Sequence, residues 1–361
     1  MMIAKPKLLF VNVEMHYNNL GPKRKSLAQL NALSELFEVE QIMMQLGSLS
    51  RLKRAFYFYI IYPFKVLYKV IHNKGCLVYY RYYPNNVLMN LLFYFIRKKI
   101  SLFVEVNTKH RHEFIKEIIK LYLPNLLSEK LIYLAAHTVL VITPEVGEYV
   151  QRIEPRARIR VMGNGYDPAE IDLEGQAGSS PQMAELEKLM AQAAGRRKFI
   201  WVGVGWYWDG LDRIMALMEQ LDNVCLFVVA DRDRLRQLGI DPNNTLPDRV
   251  FFVGKRNLQE LKYLYDHCDF AFGSFGQDRK NMTDNPTLKV REYLYFGLPV
   301  IMGHRDSQLE GLEFVHQYQD TEALYQFLDK TFDRDRIKQY ALEHLSWRTI
   351  MRNVFAPELT K

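Results

Sequence analysis

Cysteine is scarce in this 361-residue sequence, and the three that occur, Cys76, Cys225 and Cys268, are far apart. No two of them have the short spacing of a metal-ligand pair, and so few thiols do not form a disulfide framework. We therefore expect buried thiols in a reducing compartment. No signal peptide is expected either, because Lys5 and Lys7 stand beside a short apolar run that continues as a predicted strand.

The sequence also lacks several patterns that would indicate a well-known class of protein. The apolar run 56–64 is too short to span a bilayer, which needs roughly 20 residues. The loop after the first predicted strand contains a single glycine, Gly21, so the Gly-x-Gly-x-x-Gly fingerprint of dinucleotide-binding proteins is absent. Because zinc-finger spacing and RNA-binding aromatic signatures are absent as well, we expect no nucleic acid among the partners.

Positive charge is in excess and is unevenly distributed along the chain. The net charge is +7, and residues 1–170 carry 24 Lys and Arg against 13 Asp and Glu. Residues 171–361 carry 24 Lys and Arg against 28 Asp and Glu. A basic first half and a mildly acidic second half indicate two domains with different partners. The basic half suits an anionic substrate or an anionic membrane surface.

Apolar strand-like runs alternate with helical periodicities in both halves of the chain. This alternation predicts an α/β fold with two Rossmann-like domains, each a doubly wound parallel sheet, facing each other across a cleft. A polar stretch with several glycines and serines predicts a linker, although an ordinary surface loop has the same composition. The expected divisions are an N-terminal domain at 1–172, a linker at 173–196, a C-terminal domain at 197–344 and a final segment at 345–361.

The stretch 273–302 predicts a strand, a charged loop, a helix and a second strand. Pro286 suits the first turn of the helix, which we place at 288–295, and Gly297 ends it. Unpaired N–H groups and the helix dipole attract anions to the start of a helix. The charged loop before this helix therefore predicts a site for a phosphorylated ligand.

Two segments of the first half combine aromatic and basic residues. Residues 51–74 place aromatic and aliphatic side chains between lysines and arginines, and residues 87–99 end in Arg97-Lys98-Lys99. Aromatic side chains flanked by cations are typical of segments that lie on an anionic membrane surface. An amphipathic helix packed on the sheet, with its lysines in water, gives the same pattern, so both interpretations are open.

A polar cluster follows the strand predicted at 102–104. Ligands of open α/β sheets bind at the carboxyl ends of strands, so Glu105, His110, His112 and Glu113 are candidate acids, bases or substrate contacts. The two histidines also resemble a metal-binding pair, but no third ligand follows at a telling spacing. We therefore expect no metal and no other cofactor. A solvated loop at the start of a helix is the alternative interpretation.

Residues 286–301 resemble a motif of the retaining, nucleotide-sugar-dependent glycosyltransferases of sequence family 4, which have the GT-B fold. The run Pro-Thr-Leu-Lys-Val-Arg-Glu-Tyr-Leu-Tyr-Phe-Gly-Leu-Pro-Val-Ile is similar to their C-terminal Glu-x7-Glu region, often written Pro-Leu-Lys-x-x-Glu-Tyr-x-x-x-Gly-x-Pro-Val. Three shorter matches, at 142–144, 164–165 and 345–347, lie in the family's order. The resemblance covers most of the chain, and it implies that the C-terminal helix returns to the N-terminal domain.

The resemblance assigns the nucleotide-sugar donor to the C-terminal domain. Glu292 matches the glutamate that accepts hydrogen bonds from the ribose, and Asp284 stands where the family has a glutamate on the donor sugar. Asn285 and Thr283 are further candidates for that sugar contact. Where the family has an arginine and a lysine on the diphosphate, this chain has tryptophans and an aspartate. The candidates for holding the nucleotide and its diphosphate are Glu292, Lys289, Arg279, Lys280, Gly205 and Leu288.

The resemblance assigns the acceptor to the N-terminal domain. The catalytic candidates are His110, His112 and Glu105, and the acceptor-side candidates are Gly21, Arg81 and Glu113. The implied reaction is a retaining, metal-independent transfer of a sugar from a nucleoside diphosphate to a lipid-linked or polysaccharide acceptor. The implied setting is cell-envelope or exopolysaccharide biosynthesis, in the cytoplasm or at the inner face of the cytoplasmic membrane. The alternatives are a nucleotide-sugar epimerase of the same fold and a non-catalytic binding scaffold.

Overall fold

The chain folds into two compact units. The computed structural model describes residues 5–12, 20–44, 50–73, 75–83, 86–110, 122–167, 181–241 and 249–359. The first unit comprises Met1–Gly163 together with Trp347–Lys361, and the second comprises Asn164–Ser346. The last helix of the chain therefore belongs to the first unit.

The described part of the first unit contains a six-stranded parallel sheet in the order β2-β1-β3-β4-β5-β6. Its strands are β1 (Lys7–Asn12), β2 (Glu38–Met43), β3 (Leu77–Arg81), β4 (Ser101–Val106), β5 (Thr138–Val141) and β6 (Ile159–Val161). Its helices are α1 (Leu20–Leu36), α2 (Arg51–Phe56), a π-helical turn (Tyr57–Ile61), α3 (Tyr62–His72), α4 (Val87–Ile96), a 3₁₀ turn (Arg97–Lys99), α5 (Tyr122–Ala135), α6 (Pro144–Ile153) and, after the second unit, α14 (Trp347–Leu359).

The described part of the second unit contains another six-stranded parallel sheet, in the order β12-β11-β10-β7-β8-β9. Its strands are β7 (Arg197–Val202), β8 (Val224–Val229), β9 (Val250–Phe252), β10 (Phe270–Phe272), β11 (Val300–Met302) and β12 (Val315–Gln317). Its helices are α7 (Pro181–Gln192), a 3₁₀ turn (Tyr207–Asp209), α8 (Leu211–Glu219), α9 (Arg232–Gln237), α10 (Leu258–His267), a second 3₁₀ turn (Gln277–Lys280), α11 (Leu288–Tyr295), α12 (Thr321–Leu328) and α13 (Arg334–His344).

Both sheets are buried on their two faces, as parallel sheets require. In β7, Phe199 and Trp201 pack in one hydrophobic cluster and Ile200 packs in another, because successive side chains of a strand point to opposite faces. In the first unit, α14 covers one face of the sheet and buries Trp347 and Phe355. With both faces covered, the loops at the carboxyl ends of the strands are the places left for a ligand.

The predicted fold class, an α/β protein with two Rossmann-like parallel sheets, is confirmed. The division between the units differs from the expected one, because it falls between Gly163 and Asn164. The segment expected to be a linker contains α7, and Leu186 and Met190 of this helix are buried in the core of the second unit. This part of the segment is therefore an element of the second unit, and its polar composition reflects the outer face of a packed helix.

Helix α1 begins three residues earlier than its periodicity suggests. It starts at Leu20, so Gly21 and Pro22, which were expected in the preceding loop, lie inside the helix. Pro22 accounts for the early start, since proline is favoured in the first helical turn. Helix α11 has the bounds predicted for it, Leu288–Tyr295. None of the described helices combines the length and the apolar character that crossing a bilayer requires.

Candidate active site

The loops after β7, β10 and β11 lie side by side, because these strands are neighbours in the second sheet. Two backbone hydrogen bonds join the loops: Phe275 N–H donates to Asp209 O at 2.9 Å, and Gly303 N–H donates to Ser274 O at 3.1 Å. We call residues 203–210, 273–292 and 303–308 the second-unit edge. It contains every residue that the sequence predicted for the nucleotide and the donor sugar.

Glu292 lies on α11 and is oriented by a buried tyrosine. Its Oε1 accepts a hydrogen bond from the Tyr265 hydroxyl at 3.0 Å, and the side chain remains partly exposed. Burial, followed by the negative charge of Glu292, raises the pKa of Tyr265 well above its usual value, so the hydroxyl keeps its proton. A carboxylate fixed in this way can accept further hydrogen bonds from hydroxyl groups, which is the property that a ribose contact needs.

Lys289 reaches from the first turn of α11 to the loop that follows β7. Its Nζ lies 2.8 Å from Asp209 Oδ1 and 4.6 Å from the ring centroid of Trp201. Gly203 makes room for it, since a Cβ at that position would lie 3.1 Å from Lys289 Nζ and 2.5 Å from the Trp201 ring. Asp209 thus places the lysine charge beside the loop where the resemblance leads us to expect a diphosphate.

Arg279, the second predicted diphosphate cation, already has a carboxylate partner. Its Nη1 lies 3.0 Å from Asp212 Oδ1 and its Nη2 lies 2.5 Å from Asp212 Oδ2, while Nη1 also donates to Tyr207 O at 2.5 Å. A parallel bidentate pair joins Arg213 to Asp278 at 2.7 and 2.9 Å. Because a guanidinium engaged in this way offers little to a phosphate, the geometry favours a positioning role for Arg279.

Two tryptophans stand where the resemblance leads us to expect cations, and each has a cation over its ring. Trp206 and Trp208 stack with ring centroids 4.9 Å apart and an interplanar angle of 13°. The Arg234 guanidinium lies 4.5 Å from the Trp206 centroid, and Lys280 Nζ lies 5.5 Å from the Trp208 centroid. Such contacts fix a cation over an aromatic face. The loop after β7 turns at Gly205 with φ +80° and has no cation of its own. Arg234 of α9 and Lys280 of the second 3₁₀ turn therefore place two positive charges beside it.

Asp284 and Asn285 are buried, and Thr283 is exposed. Asp284 Oδ1 accepts a hydrogen bond from Ser307 N–H at 3.0 Å, and burial raises the pKa of this carboxyl. Asn285 Nδ2 donates to Gln277 Oε1 at 2.7 Å. Two of the three predicted sugar contacts, Asp284 and Asn285, are therefore also side chains that hold this loop in place.

Arg291, which the sequence patterns did not single out, is fully buried beside Glu292. Its guanidinium forms a bidentate pair with Asp306 and donates to Gln308 Oε1 at 2.6 Å and to Asn164 O at 3.2 Å. The pair fastens α11 to the loop after β11, so it positions the helix that carries Glu292 and Lys289. The signal in the sequence was a charged residue three positions before Leu294, on the buried side of the helix.

In the first unit, Glu105 lies one residue before the end of β4 and is fully buried. Lys25 Nζ lies 2.9 Å from its Oε1, Arg81 Nε lies 3.4 Å from its Oε2, and the Tyr79 hydroxyl donates to Oε2 at 2.8 Å. Burial alone would raise the pKa of Glu105, but the charges of Lys25 and Arg81 lower it to about 2. Because such a carboxylate is a weak base, the geometry favours a positioning role for Glu105 over the predicted catalytic one.

His110 packs edge-on against Tyr82, with ring centroids 5.0 Å apart. Burial lowers the pKa of His110 to about 3, so the imidazole is neutral at physiological pH. His112 and Glu113, the neighbouring candidates, lie outside the described residues. Of the two predicted histidines, His110 is therefore the one whose surroundings the structure describes.

The two parallel sheets, with helices on both faces, place the chain in the two-domain α/β class of the GT-B fold. Sucrose-phosphate synthase from Thermosynechococcus elongatus is similar over 99% of this chain and 100% of its own, with a TM-score of 0.68 and 17% identity. HepE from Anabaena, solved in complex with UDP and glucose, is similar over 99% and 100%, with a TM-score of 0.61 and 16% identity. The α,α-trehalose 6-phosphate synthase from Burkholderia multivorans is similar over 99% and 98%, with a TM-score of 0.63 and 11% identity. No protein-family model and no curated protein sequence matches the chain.

Proposed function

We propose that the chain is a retaining glycosyltransferase that moves a sugar from a nucleoside diphosphate to a lipid-linked or polysaccharide acceptor. The observation that carries this proposal is the partly exposed Glu292 carboxylate, fixed by Tyr265 on a helix at the carboxyl end of a parallel sheet. The fold neighbours support it, since HepE was solved with UDP-glucose as well as with UDP and glucose. Cell-envelope polysaccharide assembly is the setting we propose.

The second-unit edge would bind the donor through three kinds of contact. Glu292 accepts hydrogen bonds from the ribose hydroxyls. The start of α11 receives the diphosphate, because Thr287 makes no side-chain cap there and the first N–H groups of an α-helix have no partner within the helix. Lys289 adds a positive charge beside the same helix start. Negative charge develops on the diphosphate as the glycosidic bond breaks, so these groups stabilise the transition state.

The transfer itself needs positioning more than a strong protein base. The bond from the anomeric carbon to the diphosphate oxygen breaks, and the acceptor oxygen bonds to that carbon on the same face. The acceptor proton passes to the departing phosphate oxygen. In the first unit, Glu105 holds Lys25 and Arg81 at the strand ends, and Lys25 Nζ donates to Asn107 Oδ1 at 2.6 Å. These groups and the neutral His110 are the proposed acceptor contacts.

Nucleoside diphosphates test the donor site directly. We expect one of UDP, GDP and ADP, at 100 times its dissociation constant, to stabilise the protein by about 2.7 kcal/mol in thermal unfolding. Glu292→Ala should weaken that nucleotide about 10- to 100-fold, because it removes hydrogen bonds to a charged acceptor worth roughly 1.5–3 kcal/mol.

The matched control for this experiment is Glu322→Ala, which removes an exposed carboxylate from α12. It should leave nucleotide affinity unchanged in titration calorimetry. An unaltered affinity in Glu292→Ala, with normal folding by circular dichroism, would show that Glu292 is not the ribose contact.

Stereochemistry and chelation test the reaction type. The new glycosidic bond should keep the anomeric configuration of the donor, as read by NMR of the product. EDTA should leave the initial rate unchanged within about twofold. Among the described residues, no group of three or more His, Cys, Asp or Glu side chains is placed to hold a metal ion. Conversion of the donor sugar without any acceptor would identify an epimerase instead.

A further inference from the structure

Exposed apolar side chains are concentrated on the segment that comprises α2, the π-helical turn and α3. Of the seventeen large apolar side chains that are exposed in the described residues, eight lie between Leu52 and Ile71. Six of them recur at intervals of four or three positions: Leu52, Phe56, Ile60, Phe64, Tyr68 and Ile71, with exposed fractions from 38% to 85%. We call these six residues the apolar stripe. So large an exposed apolar surface on one element indicates a binding face.

The π-helical turn at Tyr57–Ile61 keeps the apolar stripe straight. In a regular α-helix, each step of four residues advances the side chain by about 40°, so the four such steps from Leu52 to Tyr68 would turn the stripe by about 160° around the helix. A π turn inserts one extra residue and brings the following side chains back into phase. The stripe therefore runs along a single side over the whole length of the segment.

The opposite side of this segment is packed on the protein. Phe58, Tyr62 and Val66 are buried, and the Tyr62 hydroxyl lies 2.8 Å from Ile42 O, to which it donates. Asn86 Nδ2 donates to Phe58 O at 3.0 Å, so a carbonyl of the π turn is bonded to the body of the first unit. These contacts fix the inner side of the segment to the first unit and leave the apolar stripe on its outer side.

The charged side chains of this segment itself are all positive. Residues 41–104 contain ten Lys and Arg and no Asp or Glu. Lys53, Arg54 and Lys65 lie on the same segment and are exposed. A second copy of this face would be repelled by the like charges of these three residues, whereas an anionic surface would be attracted. Exposed aromatic and aliphatic residues beside cations match the interface of an anionic bilayer.

We propose that the apolar stripe, with its flanking cations, docks the first unit on the surface of an anionic lipid bilayer. The segment lies in the plane of the interface, with its aromatic side chains among the lipid head groups and acyl ends. The second predicted membrane segment contributes little, because Met89, Asn90 and Phe93 of α4 are buried and only Phe95, among its large apolar residues, is exposed. This docking is independent of the nucleotide site.

Vesicle flotation of the full chain tests the proposal without nucleotide. We expect at least tenfold stronger binding to phosphatidylcholine vesicles with 30 mol% phosphatidylglycerol than to pure phosphatidylcholine, and weaker binding in high salt. Phe56→Ser with Phe64→Ser should lower binding about 25-fold, because two half-exposed rings no longer enter the interface. Lys53→Ala with Lys65→Ala should lower binding to the anionic vesicles and leave binding to pure phosphatidylcholine vesicles unchanged.

The matched control is Tyr325→Ser with Leu342→Ser, which removes two exposed apolar side chains of the second unit and should not change binding. Phe56→Trp gives a second readout, since its emission should shift to shorter wavelength on anionic vesicles. Equal binding to neutral and anionic vesicles, or no effect of the Phe56 and Phe64 changes, would overturn the proposal. So would a vesicle-free dimer in light scattering that disappears in the double serine variant.

Discussion

Replacing Glu105 with alanine should destabilise the first unit by about 3–5 kcal/mol, because removing one partner of a buried ion pair leaves the other charge uncompensated. The Lys25 side chain is 4% exposed and that of Arg81 is 15% exposed, so water cannot replace the missing carboxylate. Tyr79 also loses the acceptor of its 2.8 Å hydrogen bond. The loss of stability should appear as faster hydrogen–deuterium exchange in β3 and β4.

The same carboxylate makes stability depend on pH in a defined direction. The folded-state pKa of Glu105, about 2, lies below the value of 4.5 that is usual for a free glutamate. A lowered pKa gives stability that is present above pH 4.5 and is lost as the pH falls toward 2. The unfolding free energy of the unmodified chain should therefore fall more steeply across this window than that of Glu105→Gln.

Glu40→Ala is the matched control for Glu105→Ala. Glu40 also pairs with two cations, Lys7 at 3.2 Å and Lys69 at 2.7 Å, but its side chain is 29% exposed. Exposed pairs contribute about 1 kcal/mol or less. If Glu40→Ala and Glu105→Ala proved equally destabilising in urea, burial would not be the cause of the effect at Glu105.

The fold could be predicted because its signals are local. Strand-like apolar runs, the Thr143 cap and the proline and glycine that bound α11 each act within a few residues, and Val146 N–H does donate to Thr143 Oγ1 at 3.2 Å. The division of the units was harder to predict. A polar helix such as α7 has a buried face only when it is packed on a sheet, and its composition resembles that of a linker.

The candidate site could be predicted in part, because the sequence shows which residue stands at a position but does not show which side chain it contacts in the fold. The motif singled out Glu292, whereas nothing near Arg279 in sequence announces Asp212, to which it is bound across 67 positions. Likewise, Glu105 was a plausible base until Lys25 and Arg81 were found around it. Long-range ion pairs decide which charged side chains hold a loop and which are left for a ligand, and single-sequence patterns do not encode them.

Asp306→Ala should destabilise the second unit by about 3–5 kcal/mol, since it leaves the Arg291 guanidinium buried without its carboxylate. Both side chains of this pair are 0% exposed. Nucleotide affinity should fall as well, because Asp306 anchors α11 through Arg291 and precedes Ser307, whose N–H binds Asp284. Urea unfolding and titration calorimetry measure the two effects separately. Glu310→Ala, which breaks the exposed pair with Arg305, is the control and should cost less than about 1 kcal/mol.

A double variant separates the two roles of this pair. Arg291→Met with Asp306→Leu removes both charges, and replacing a buried ion pair by apolar side chains of similar volume is often neutral or stabilising. The double variant should therefore recover most of the stability that Asp306→Ala loses. Nucleotide affinity should stay low, because Gln308 and Asn164 O lose the hydrogen bonds by which Arg291 fixes the loop to α11. If affinity returned together with stability, the pair would serve folding alone, and the placement of Glu292 and Lys289 would depend on packing.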